Sequence, residues 1–329
     1  DLHKVYEGLQ VPFYGDWIRC DVECGWSEGI RCLFVDPQSP EGFFRRGAIY
    51  GEPDDADRFA FFSRAVLEVM HRSGRHPDII HCNDWHTGLL PVLFHEVYAG
   101  LGMTHPRLCF TLHNLGYQGR SGEFVCHQAG LDPQRVMTPD RLLDPEQPHT
   151  ANLLKGGIVY ANHVTTVSPR YAWEIRFTEQ GMGLQETLRI HGEKLTGILN
   201  GIDGATWDPR SDSYIARHFG PDSLPEKAVN KSELRNRFGL EHAHKPLVCV
   251  ISRLDHQKGV ELIAHAVRHS LSRGCQVVLL GSAQEPAIAA RFLALKGELH
   301  GNADCHLELG YDERLAHQIY AAADIIVIP

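Results

Sequence analysis

Leu247-Val248-Cys249-Val250-Ile251-Ser252-Arg253-Leu254-Asp255-His256-Gln257-Lys258-Gly259-Val260-Glu261-Leu262-Ile263-Ala264-His265-Ala266-Val267 decides how this chain is read. Its first five residues are an unbroken apolar run, the pattern of a strand buried on both faces. Val260, Ile263, Ala264, Val267 and Leu271 then recur at helical spacing, which predicts an amphipathic helix. A second apolar run follows at residues 276–280. Strand, polar turn, helix and strand in that order make a βαβ unit of a parallel sheet.

The same alternation runs outward in both directions. Further strands are predicted at residues 79–82, 108–112, 163–167, 196–199, 306–309 and 324–328, and Phe59, Phe62, Val66, Val69 and Met70 mark another helix face. The fold class is therefore α/β, with parallel sheets flanked by helices. Such sheets bind ligands beyond the carboxyl ends of their strands, so the residues just after each apolar run are where chemistry is sought. A length of 329 residues suits two domains. Residues 200–245 are rich in Gly, Pro, Asp, Asn and Ser, with little periodicity before Lys231, and a fresh βα series opens at Pro246. Domains are thus expected at 1–197 and 198–329. Residues 1–50 read as short strands and loops, clearest at 31–35.

The formal net charge of -9 argues against nucleic acid, whose phosphates call for a basic surface. A neutral polyol needs none. The nine cysteines, an odd number, contain no Cys-x-x-Cys pair, and several, such as Cys249, sit inside apolar runs. That is the pattern of free thiols in a reducing compartment. No run reaches the length of a membrane span and no signal-peptide pattern opens the chain. The first residue is Asp1, not Met, which is compatible with a removed targeting segment.

At the tip of the strand at 79–82 stand Asn83, Asp84, Trp85 and His86. His81, Asp84 and His86 cluster closely, yet two histidines five apart across a strand end rarely converge on one ion, and no His-Glu-x-x-His or cysteine partner accompanies them; no metal is expected. Asp84 reads as a helix N-cap, a role compatible with facing a ligand. His113-Asn114-Leu115-Gly116-Tyr117-Gln118-Gly119 follows the next strand. His and Asn suit sugar hydroxyls, which both donate and accept; the alternative is a plain turn with an exposed His113. Asn200-Gly201 is first a turn, at which Asn200 can also touch a ligand.

Arg253 and Lys258 carry the strongest chemical signal. Two cations five residues apart between a strand's end and a helix's start would meet a diphosphate with a forked guanidinium and an ammonium; otherwise they are solvated loop charges. Gly281 opens a second strand-to-helix turn able to face phosphate. Tyr311 follows the strand at 306–309 and either stacks on a nucleobase or packs as a partly buried ring.

Together these pieces resemble the starch and glycogen synthase family of GT-B glycosyltransferases. The resembling segments are His81-Cys82-Asn83-Asp84-Trp85-His86-Thr87, Thr111-Leu112-His113-Asn114-Leu115-Gly116-Tyr117-Gln118-Gly119, Val164-Thr165-Thr166-Val167-Ser168-Pro169-Arg170-Tyr171, Gly197-Ile198-Leu199-Asn200-Gly201-Ile202-Asp203, Ile251-Ser252-Arg253-Leu254 with Gln257-Lys258-Gly259, and residues 320–329. Phe43-Phe44-Arg45-Arg46-Gly47 before Ile49-Tyr50-Gly51 looks closest to soluble plant-type starch synthases. The resemblance implies two Rossmann-like domains facing across a cleft, with acceptor contacts in the first and nucleotide contacts in the second. It implies retaining transfer of glucose from ADP-glucose or UDP-glucose to an α-1,4-glucan, with no metal or other cofactor. Carried over, Arg253 and Lys258 neutralise the donor diphosphate and Tyr311 lies against the base. His113, Asp84 and Asn200 orient the glucose, and Tyr50 lines the same cleft. It further implies a soluble enzyme of a plastid stroma or a bacterial cytoplasm.

Two family segments have no counterpart here: a Lys-x-Gly-Gly-Leu loop near the N-terminus and a Phe-Glu-Pro-Cys-Gly-Leu segment after Pro329. The chain is accordingly expected to be truncated at both ends. Alternatives are another GT-B transferase with a small acceptor, or a non-catalytic glucan-binding paralogue.

Overall fold

The computed structural model describes residues 2–47, 49–241 and 244–329. The chain divides into two compact units, Asp1–Asn200 and Gly201–Pro329.

The first unit opens with three antiparallel strands, β1 (His3–Phe13), β2 (Asp16–Ser27) and β3 (Ile30–Pro37), paired in that order. This corrects the expectation of short strands and loops over residues 1–50. Two features hid the sheet. Register shifts between Lys4 and Tyr6 and between Tyr6 and Leu9 break the alternation of β1, as bulges do. The two-residue turns are Tyr14-Gly15 (φ 58 and 75) and Glu28-Gly29 (φ 51 and 80). Hairpin turns with both φ positive usually carry Asn-Gly or Asp-Gly, so Tyr and Glu gave no turn signal.

A parallel sheet follows, containing β4 (Ile79–Asn83) and β5 (Arg107–Leu112). After a small antiparallel pair, β6 (Arg120–Gly122) and β7 (Thr150–Asn152), it gains β8 (His163–Thr166) and β9 (Leu195–Gly197), in the order β4-β5-β8-β9. The helix Asp55–Ser73 packs on the antiparallel sheet, because Phe61 on its buried face meets Phe13 of β1 at 5.5 Å and Phe43 of the loop after β3 at 5.6 Å between ring centroids. Each such pair contributes about 0.5–1.5 kcal/mol beyond the area it buries.

The helix Leu153–Tyr160 lies so close to β5 that a Cβ on Gly157 would fall 2.3 Å from Cζ of Phe110. Gly157→Ala is therefore expected to cost about 2 kcal/mol through overpacking. A drop of roughly 4–8 °C in the thermal midpoint of the first unit is the check, and an unchanged midpoint would contradict this packing.

The second unit is a parallel sheet of β10 (Leu247–Ile251), β11 (Gln276–Leu280), β12 (Cys305–Glu308) and β13 (Ile325–Ile326), in the order β12-β11-β10-β13. Predicted and observed strands agree within a residue or two, except that the last shortens to two residues. The helix Lys227–Phe238 starts inside the stretch read as aperiodic. Its buried residues are Asn230, Leu234 and Arg235, so it has no apolar stripe to detect. Polar anchors hold it instead: Lys227 Nζ donates to the carbonyls of Tyr320 (2.8 Å) and Ala321 (2.9 Å), and Arg235 Nε to Gln276 Oε1 (2.7 Å). Trp207 lies flat on His317 (3.7 Å, 7°), and His317 Nδ1 pairs with Asp212 Oδ2 at 2.6 Å, which ties the start of this unit to the helix Glu313–Ala322.

Among the described residues no helix is long and apolar enough to cross a membrane. The nine cysteines are free thiols, and burial pushes those of Cys20, Cys82, Cys126, Cys249 and Cys305 up to about 12.

Candidate functional site

In the second unit the chain runs β10 to β11 to β12 outward, then returns to place β13 on the other side of β10. Beside β10 the strand order reverses, and in open α/β sheets ligands bind beyond the strand ends at that point. Ser252-Arg253-Leu254-Asp255 leaves β10 there. Asp255 caps the short 3-10 turn His256–Lys258 by accepting from the backbone N–H of Lys258 at 3.1 Å. Arg253 and Lys258 are exposed, and Arg253 lies 3.6 Å from Asp255 Oδ2. Both cations thus stand on a short, capped loop in front of the helix Val260–Ser272, whose N-terminus no side chain caps.

Gly281 has its own N–H committed within the sheet, where it donates to Glu308 O at 3.0 Å. A Cβ there would fall 2.6 Å from Ser252 O and 3.0 Å from Cγ of Leu254. Glycine is needed because the tips of β10 and β11 press together, and Leu254 N donates to Ser282 O at 2.8 Å. Gly281 shapes the loop that carries Arg253. Tyr311 is not a packing ring: it is 82% exposed. Its hydroxyl donates to Glu313 Oε2 at 3.2 Å, and the charge of that carboxylate raises the phenol above its ordinary value.

In the first unit, Asp84 and His113 come together. Asp84 holds φ 53, ψ −178, a region nearly confined to glycine that costs about 1–3 kcal/mol in other residues. It makes no side-chain cap bond, contrary to the N-cap reading. Instead Oδ1 accepts the N–H of His113 at 2.8 Å, while the Asp84 N–H donates to Thr111 O at 2.9 Å. The strained backbone thus turns the carboxylate from the turn behind it toward the tip of β5. His113 Nε2 lies 3.0 Å from Asn83 Oδ1.

His81 turns away to Thr111 Oγ1 (2.7 Å), and Thr111 Oγ1 bonds Thr165 Oγ1 (2.6 Å) across β4, β5 and β8. His86 is stacked on Trp85 (4.2 Å) and edged by Phe59 (4.6 Å). His81, Asp84 and His86 therefore point to three different partners, and no group of metal-capable side chains is arranged for an ion among the described residues. Tyr50 is exposed, with its ring 6.2 Å from His86. Asn200 is exposed at the last position of the first unit.

Burial lowers the His86 imidazole below its ordinary value, and does the same for His95 and His191. For such a group the neutral form is favoured in the fold. Its stabilisation is complete above the unfolded value of about 6.5 and is lost as pH falls through the lower folded value. The urea midpoint of the protein is expected to fall below pH 6.5, and His86→Phe to lessen that fall. A midpoint that rises on acidification would contradict the sign.

Sequence reasoning missed the wall behind the His113 loop. Gln118 donates Nε2 to the carbonyls of Leu115 (3.0 Å) and Met182 (2.8 Å) and accepts from Asn152 Nδ2 (2.6 Å). Asn152 also reaches Asp144, which Arg120 Nε meets at 2.7 Å. Burial alone would raise the Asp144 carboxyl, but bonds from Asn152, Glu146 N and Arg120 hold it below its ordinary value. These residues back a cavity of about 620 Å³ lined by Trp85, Tyr117, Gln118, Arg120, Glu146 and Met182. Their partners are scattered along the chain, so no local motif announces them.

Residues 1–190 match the family model described as the starch synthase catalytic domain. Glycogen synthase 1 of Nitrosococcus oceani is 55% identical over 328 residues, covering the whole of this chain and 67% of that protein. Probable starch synthase 4, chloroplastic/amyloplastic, of Arabidopsis thaliana is 43% identical over 331 residues, which is 32% of its length. The solved catalytic domain of starch synthase IV from Arabidopsis thaliana, bound to ADP and acarbose, superposes on the whole chain with a TM-score of 0.95 at 42% identity and is covered to 67%.

Proposed function

The chain belongs to the starch and glycogen synthase family, and from that premise we propose that it transfers glucose from ADP-glucose, with retention, to the non-reducing end of an α-1,4-glucan. It is an α-glucan synthase, a glycosyltransferase. The observation that carries the donor side is the pair Arg253 and Lys258 at the reversal point beside β10. As the bond from glucose C1 to the diphosphate oxygen breaks and C1 bonds the acceptor O4, negative charge gathers on the departing ADP, whose freed oxygen takes the proton that O4 loses. A guanidinium fork and an ammonium fixed in advance stabilise that charge. No metal or other cofactor enters the proposal.

Tyr311, exposed and tethered through its hydroxyl, would lie against the base. The ADP in the related Arabidopsis structure favours adenine over uracil. Asp84, His113 and Asn200 would orient the glucose, Tyr50 would flank it, and the cavity beside Trp85 would take acceptor residues. The free, buried thiols suit a reducing compartment, plastid stroma or bacterial cytoplasm, and no nucleic-acid partner is proposed.

The test is incorporation of labelled glucose from ADP-glucose and from UDP-glucose into a glycogen primer by the full gene product. Transfer from ADP-glucose at the higher kcat/KM is expected. Equal or greater use of UDP-glucose would overturn the donor assignment. Transfer only to small acceptors, or binding without transfer, would replace the reading with one of the two alternatives.

A further inference from the structure

The stretch of loop around Tyr50, ahead of the helix Asp55–Ser73, is held by a buried arginine that the chemistry above does not use. Arg58 is 0% exposed. Its Nη1 donates to Phe43 O at 2.7 Å, and its Nη2 donates to Ile49 O and to Asp55 Oδ1, each at 2.7 Å. The other oxygen of Asp55, Oδ2, accepts the N–H of Gly51 at 2.6 Å. Phe44 and Phe59 lie 5.7 and 5.5 Å from the guanidinium carbon. The carbonyl just before Tyr50 and the amide just after it are therefore both pinned by one ion pair, while the ring between them stands exposed near His86.

Burying a charge is costly unless it is paired and hydrogen-bonded. A helix needs no buried arginine to pack, and an apolar residue would fill this place without that cost. What the Arg58–Asp55 pair adds is a fixed backbone on either side of one exposed aromatic ring. The geometry points to Arg58 and Asp55 as positioning residues for glucosyl transfer: they clamp the backbone of Tyr50 so that its ring is held in place against the sugar. This rests on the reading that Tyr50 flanks the transferred glucose. Arg46, which pairs with both oxygens of Asp54 at 2.6 Å, fixes the loop farther from Tyr50 and is not part of the clamp.

The test is a double-mutant cycle on the full gene product, reading kcat/KM with ADP-glucose and glycogen. Arg58→Lys keeps the charge but loses the fork. Asp55→Asn keeps the shape but replaces one of the two acceptor oxygens with an NH2 that faces a donor, either Arg58 Nη2 or the Gly51 N–H. Each is expected to lower kcat/KM about tenfold when Tyr50 is present, and by less than about twofold in a Tyr50→Ala background, because residues acting through one another are not additive. Should Arg58→Lys fail to fold, the partly exposed Asp55 carries the test alone. Equal penalties in both backgrounds would overturn the clamp and leave Arg58 as a packing residue. An unchanged rate in the single variants would overturn it as well. If Tyr50→Ala itself stays within about twofold of the parent, the reading of Tyr50 falls and takes the clamp with it, while the roles of Arg253 and Lys258 stand.

Discussion

Lys258→Ala is expected to lower kcat for glucosyl transfer by about 10²–10³, the loss seen when one preorganised donor to a developing anion is removed. The charge that needs stabilising appears as ADP departs, so the loss falls mainly on turnover. The fold is expected to be untouched. Lys258 is exposed, and what the local structure takes from it is its backbone N–H, capped by Asp255, which alanine retains. Circular dichroism and thermal midpoint should match the parent. Arg253→Lys is expected to lose less than Arg253→Ala, because it keeps the charge and forfeits the bidentate geometry. Near-parental turnover in Lys258→Ala, with nucleotide binding intact, would remove the diphosphate role.

The second large effect is expected at Asp84, where stability and activity should separate. Asp84→Gly relaxes a backbone held at φ 53, ψ −178, while Asp84→Ala keeps the strain; both lose the bond to the His113 N–H. The glycine variant is expected to be more stable than the alanine variant by about 1 kcal/mol, read as a higher thermal midpoint. Both are expected to lose at least about 10² in kcat, because removing the carboxylate frees His113 from its set position. An active Asp84→Gly enzyme would show that the carboxylate is dispensable. An alanine variant as stable as the glycine one would show that the backbone is not strained.

The parallel sheets were legible because strands such as Leu247–Ile251 and Gln276–Leu280 are short, mostly apolar runs and the helix between them carries a clean stripe of Val260, Ile263, Ala264 and Val267. The antiparallel sheet was not, since bulges in β1 and positive-φ Tyr14 and Glu28 replace the usual signals. Polar anchoring hid the helix Lys227–Phe238 for a related reason. At the site, residue types and their place after strands singled out Arg253, Lys258, Asp84 and His113. The sequence does not say where a backbone amide is already committed, as at Gly281, nor that Asp84 faces His113 instead of capping its own turn. The Gln118–Asn152–Asp144–Arg120 wall and the Arg58–Asp55 clamp depend on tertiary neighbours that no spacing rule reports.

Each unit has a hydrophobic core of its own, the first built around residues such as Phe13, Phe61 and Phe110 and the second around Val250, Ile263 and Leu279. On the ribosome this separation becomes a matter of time. At about 5–20 residues per second, Asp1–Asn200 is complete roughly 6–26 seconds before Pro329 is joined. During that interval Phe13, Phe43 and Phe61 must find one another with no help from the second unit. Defects in that cluster would therefore be read first as lost yield and chaperone dependence in the cell, while the same chains, once folded, would turn over normally.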